Sequence, residues 1–133
     1  MRKTILTAFL LTCGIAQASP EWAAVSMTNN GKLIAYVDLG SIRIEDGNVR
    51  SALFKFRYAP HTDKDARTNK WHKEAYSQET FNCGNETSRV DSLRFRFDDG
   101  TEWSDSKVPT AWTPIGPDTL RDWQRKFVCK GDK

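Results

Sequence analysis

Two stretches of this chain alternate apolar and polar residues with a period of two, and that alternation constrains the fold more than any other feature. In Val49 to Tyr58, the residues Ala52, Phe54, Phe56 and Tyr58 share one face, against Ser51, Lys55 and Arg57 on the other. In Ser92 to Phe97, Leu93, Phe95 and Phe97 alternate with Ser92, Arg94 and Arg96. Successive side chains of a strand point to opposite faces, so each stretch is a strand with one greasy side. Lys32 to Ile44 reads the same way, with Leu33, Ala35, Val37 and Leu39 against Ile34 and Tyr36, and a bend at Gly40 and Ser41. Lys73 to Cys83 places Ala75, Phe81 and Cys83 together, Thr101 to Lys107 is a short strand, and Trp22 to Met27 supplies a first edge strand. The turns Asp46-Gly47-Asn48 and Asp98-Asp99-Gly100 fit antiparallel hairpins, because glycine and its polar neighbours tolerate positive φ.

The pattern changes after Trp112. Gly116-Pro117-Asp118 opens a helix, with Leu120, Trp123 and Phe127 as its apolar stripe. A one-sided sheet and a one-sided helix bury their apolar surfaces against each other. The expected fold is therefore α+β: a single antiparallel β-sheet of about six strands, with one C-terminal α-helix packed on one face. The expected core is Phe54, Phe56, Phe95, Phe97, Leu120, Trp123 and Phe127. Trp22 and Trp112 join Trp123 in or beside it.

The N-terminus sets the compartment. Arg2 and Lys3, the apolar run Ile5 to Leu11 and the small residues Ala16-Gln17-Ala18 follow the order of a secretory signal peptide. Residues 1–18 are read as that leader, and residues 19–133 as one domain, exported to the periplasm, the cell surface or beyond. The apolar run is too short to span a membrane. Leu10-Leu11-Thr12-Cys13 resembles a lipoprotein box, but threonine before the cysteine argues against lipid anchoring at Cys13. Once the leader is gone, Cys83 and Cys129 remain, and two cysteines in an oxidising compartment pair. Their bridge would pin the helix end onto the sheet.

No catalytic motif assembles. His61-Thr62-Asp63-Lys64-Asp65 follows Pro60 in a polar stretch that reads as a solvated loop rather than a metal site. His72 has no nucleophile or acid spaced to support it. The expectation is a non-enzymatic chain with no cofactor and no metal. Binding is the better class. Arg50 to Lys73 holds seven basic residues and only two acidic ones. Lys55, Arg57, Lys64, Arg67, Lys70, Trp71 and Lys73 are the candidate binding residues, with Trp71 the best exposed aromatic contact. If the strands carrying Lys55 and Arg57 and those carrying Arg94 and Arg96 were neighbours, the outer sheet face would be basic and would attract acidic partners. Without Arg2 and Lys3 the net charge is only about +1, which gives no case for nucleic acid. An open sheet edge also leaves room for a homodimer.

Several stretches then read together: Trp22, Tyr36-Val37-Asp38-Leu39-Gly40-Ser41-Ile42-Arg43, Gly47-Asn48-Val49, Glu79-Thr80-Phe81-Asn82-Cys83, Trp112 to Pro117 and Phe127-Val128-Cys129. In this order the chain resembles the surface-adhesin protein E family of Gram-negative bacteria. The resemblance implies an antiparallel sheet with a C-terminal helix, matching Pro117 to Val128, tethered by a Cys83–Cys129 disulfide. It also implies a protein partner, adhesin-like binding of host extracellular-matrix or serum proteins, with a periplasmic accessory or structural role as the alternative.

Overall fold

The computed structural model describes residues 19–130; the expected leader and Cys13 lie outside them. An eight-stranded antiparallel sheet carries one C-terminal helix. The strands are β1 (Trp22–Thr28), β2 (Leu33–Asp38), β3 (Arg43–Asp46), β4 (Val49–Tyr58), β5 (His72–Asn82), β6 (Thr87–Phe97), β7 (Glu102–Ser104) and β8 (Thr113–Pro114). The main order is β1-β2-β4-β5-β6-β7. β3 lies beside β4 and β8 beside β6. There are thus six positions across the sheet, and two of them are divided. β2 pairs with the second half of β4 (Leu33 opposite Tyr58) and β3 with its first half (Arg43 opposite Ser51).

The division between β2 and β3 is built by four residues. Leu39–Ser41 forms a 3₁₀ turn capped by Asp38, whose carboxylate accepts from Gly40 N at 3.1 Å and from Glu21 N at 3.2 Å. Ser41 Oγ donates to Asp38 O and accepts from Leu53 N at 2.8 Å, satisfying a β4 donor where the neighbouring strand has turned away. The bend expected at Gly40 and Ser41 is present. Leu39, however, sits in the turn and is exposed instead of joining the apolar face.

The helix α1 (Leu120–Val128) starts later than Pro117. Asp118 has φ 56°, so the chain is still turning there. Thr119 is the N-cap and its side chain accepts from Asp122 N at 3.2 Å, while Asp122 accepts in return from Asp118 N at 3.1 Å. The stripe is also rotated from the expected one. Gln124 and Val128 are buried and Leu120 and Phe127 half-buried, whereas Trp123 is 48% exposed. The spacing i, i+4, i+7, i+8 describes the packed face, and a glutamine holds one of its positions.

The core lies between α1 and β1, β2, β4 and β5. Val37, Ala52, Phe54, Phe81, Val128 and Cys129 form its centre, with Phe54 and Phe81 meeting edge to face at 5.8 Å. Phe97 is buried at the far end of the sheet, while Phe56 and Phe95 are only partly covered. Trp112, expected at the core, is 42% exposed and lies against Arg89. Cys83 and Cys129 are joined, with their Cα atoms 5.7 Å apart. Among the described residues no helix is long and apolar enough to cross a membrane.

Candidate functional site

The segment between β4 and β5 forms a cap that is exposed along His61 to Lys64, as expected, and is pinned from within. Its anchor is Asp65, only 4% exposed. The Asp65 carboxylate accepts from Arg67 N at 2.8 Å and from the Arg67 guanidinium at 3.0 and 3.3 Å. These hydrogen bonds hold the carboxyl down to about 2. Asp65 N donates to Lys70 O and Asn69 N to Asp65 O, closing a tight turn with Asn69 at φ 57°. Lys64 and Trp71 form an isolated antiparallel bridge.

His72 joins this cap to the sheet. Its ring lies 4.7 Å from Phe95, 5.2 Å from Tyr58 and 5.5 Å from Phe97. Nδ1 is 2.8 Å from Asp63 Oδ2, and Nε2 is 3.7 Å from Asp65 Oδ2. Burial, then the Asp63 charge, pushes the Tyr58 hydroxyl up to about 12. The histidine is an aromatic plug with a carboxylate on its ring. Among the described residues no three His, Cys, Asp or Glu side chains form a set able to hold a metal ion.

Beside the plug opens a cleft of about 510 Å³. Its walls include Ile34, Arg57, Tyr58, Pro60, His61, Trp71, Lys73 and Asp98. His61 takes φ 54° and its ring lies 5.3 Å from that of Trp71. Lys64 Nζ covers the Trp71 ring at 5.1 Å. Lys73 is exposed at an irregular step in the β5–β6 register, between His72 and Glu74.

The seven candidate residues therefore divide. Arg57, Trp71 and Lys73 line the cleft, with Lys64 over the tryptophan. Lys55 stands two residues from Arg57 on β4. The other two serve the fold. Arg67 is bound to Asp65 and stacks 3.5 Å from the Trp103 ring. Lys70 pairs with Asp99 at 2.9 Å and donates to Thr101 at 2.7 Å. Nor are β4 and β6 neighbours. β5 lies between them, so Tyr76 separates Lys55 from Arg94 and Glu74 separates Arg57 from Arg96. The uniform basic face becomes two cationic rows with an aromatic and acidic row between.

Sequence reasoning missed the aromatic partners of these cations. Lys55 Nζ lies 4.5 Å from the Trp22 ring centre and 5.2 Å from that of Tyr36, and Arg57 lies 5.6 Å from Tyr36. The alternation put Tyr36 on the correct face, but the register that brings Trp22, Tyr36 and Tyr76 beside Lys55 is not local information. It also missed Glu79, buried to 1% exposure beneath the helix, with Ser77 donating to it at 2.9 Å and the Arg121 guanidinium forming an ion pair at 3.6 Å.

The chain is a one-sheet, one-helix domain closed by a disulfide, with surface cations set on aromatic rings. The chain belongs to the surface-adhesin protein E family, whose profile matches residues 22–130. Among solved structures, crystal form II of protein E from Haemophilus influenzae is similar at 14% identity, covering 86% of this chain and 95% of that one, with a TM-score of 0.57. The selenomethionine form of the same protein is similar at 15% identity, covering 86% and 94%, with a TM-score of 0.58. Identities this low establish a shared fold. No curated protein matches the chain.

Proposed function

We propose that this protein is an exported, non-enzymatic adhesin-like domain that binds a host extracellular-matrix or serum protein through the cleft between Arg57, Trp71 and Lys73. The observation that carries this reading is a selective lack of charge pairing. Arg67 and Lys70 are consumed by Asp65 and Asp99, whereas Lys55, Arg57 and Lys73 have no carboxylate within salt-bridge distance among the described residues. Unpaired cations beside an apolar wall with a tryptophan are what a protein partner's rim carboxylates and central side chain engage. Lys64 completes the surface by holding the tryptophan face.

Immobilised vitronectin and laminin, probed with the exported protein at physiological salt, test the reading. Saturable binding that falls about tenfold or more in Trp71→Ala and Lys73→Glu supports it. Absence of saturable binding, or binding indifferent to both variants, overturns it. Protease accessibility on intact cells tests surface display: protection in intact cells with release from the periplasm favours the accessory role instead. A homodimer along the unpaired edge of β1 belongs to the same reading, and sedimentation equilibrium tests it.

A further inference from the structure

The helix-free face of the sheet has a feature the cleft does not explain. Lys55 and Arg57 occupy successive outward positions of β4, about 6.7 Å apart along a strand. Both are held over ring faces, Lys55 by Trp22 and Tyr36 and Arg57 by Tyr36. A ring attracts and positions a cation but does not cancel its charge. Several other cations are set against carboxylates: Arg89 on Asp91, Arg121 on Glu79, Arg125 and Lys126 on Asp122. Across the face, β6 carries Arg94, which pairs with Glu102 at 3.3 Å and covers Tyr76 at 4.8 Å. Between the two cationic strands, Glu74 accepts from the Tyr76 hydroxyl at 2.8 Å. Two positioned, unneutralised charges thus stand on one strand, walled by aromatic rings, with acidic groups beside them.

We propose that this face docks an extended acidic segment of the partner protein, with carboxylates at positions i and i+2 meeting Lys55 and Arg57. Side chains on one side of an extended chain repeat at that same distance of about 6.7 Å, so a single segment lying along β4 reaches both cations without adjustment. The residue pairs i, i+1 point to opposite sides and cannot. Charge complementarity selects the occupant. A polyanion of uniform charge laid across the strands, such as a sulfated polysaccharide, meets Glu74 and Glu102 alternating with Arg57 and Arg96 in one cross-strand row. A short segment with two matched carboxylates running along β4 keeps its charges on Lys55 and Arg57 and does not cross to Glu102 on β7. Trp22 and Tyr36 then supply apolar contact to the side of the segment that faces the sheet.

The inference rests on the protein-binding reading above but uses Lys55, which lies outside the cleft. The test is calorimetric titration of the exported protein with three eight-residue peptides. One carries aspartates at alternate positions, one carries the same aspartates in adjacent pairs, and one replaces them with asparagine. The alternating peptide should bind about tenfold or more tightly than either control, and Lys55→Gln and Arg57→Gln should each remove most of that preference while leaving the melting temperature unchanged. Equal affinities for all three peptides, or a preference that survives both substitutions, overturns the inference. So does a heparin fragment that binds more tightly than the alternating peptide and depends on the same two residues. Matrix-protein binding that is lost in Trp71→Ala but unchanged in Lys55→Gln sinks this inference alone. Peptide preference without matrix-protein binding sinks the host role alone.

Discussion

Glu79 is the residue whose chemistry departs furthest from its surroundings. It faces α1 from β5, fully buried, with Ser77 and Arg121 serving one oxygen while the other has no hydrogen-bond partner. Burial raises its carboxyl above the usual range, opposed by the Arg121 charge. A raised folded-state value means that the proton binds more tightly in the folded chain. The corresponding stability is fully present below the ordinary carboxylate range and is lost as pH rises through the raised value. Glu79→Gln should therefore melt higher than the parent at pH 7, with the advantage shrinking toward pH 4; equal melting curves at pH 7 would contradict the account. Asp65 behaves oppositely. Its lowered carboxyl contributes stability above the ordinary range, lost only as pH falls toward about 2. Asp65→Asn removes the charge that orders Arg67 and should cost about 1–3 kcal/mol in chemical denaturation, with faster proteolysis after Arg67. Neither role was legible beforehand. Nothing local to Ser77-Gln78-Glu79 says that a helix 40 residues away will cover a glutamate, and Asp65 looks like any acid in a polar stretch until its chain reverses onto it.

At the scale of elements, what was legible was whatever depends on near neighbours. The alternation in β4 and β6 gave their faces correctly because a strand's period is short and both are long, with ten and eleven residues. The Asp38-Leu39-Gly40-Ser41 bend was readable because its capping is local. The helix was harder. Its first turn is set by Thr119, not Pro117, and its buried side includes Gln124, a polar residue that apolar spacing cannot reveal. Thr119→Ala should lower stability by about 1 kcal/mol through loss of the cap, measurable by urea denaturation. The disulfide acts on a larger scale. It closes a loop of 46 residues between the end of β5 and the end of α1. Chain entropy alone gives about 4 kcal/mol for such a loop. Cys83→Ala should thus destabilise several times more than Thr119→Ala, and a reduced but otherwise intact parent should reproduce most of that loss. An unchanged melting temperature on reduction would show that packing of Phe127 and Val128 alone seats the helix.

For the whole molecule, charge decides how a partner is met. Without the proposed leader, residues 19–133 carry 18 basic and 17 acidic side chains, so net charge supplies little long-range attraction. At 0.1 M salt, charges are screened beyond about 10 Å, and only the few cations on the open face and around the cleft act at contact. That separates two kinetic signatures. A protein steered by its overall field loses association rate steeply as salt rises. This one, whose cations are locally positioned by Trp22, Tyr36 and Trp71 within a nearly neutral molecule, should instead show the salt effect in dissociation. Between 50 and 500 mM salt, we expect the association rate for a matrix-protein partner to change less than about threefold while dissociation accelerates by about tenfold. Surface plasmon resonance reads both. On the proposed binding mode the direction follows: raising salt weakens carboxylates seated on Lys55, Arg57 and Lys73, but there is little distant attraction for it to screen. A steep loss of association rate with unchanged dissociation would mean that the partner carries the steering charge, or that binding uses a different surface of the sheet.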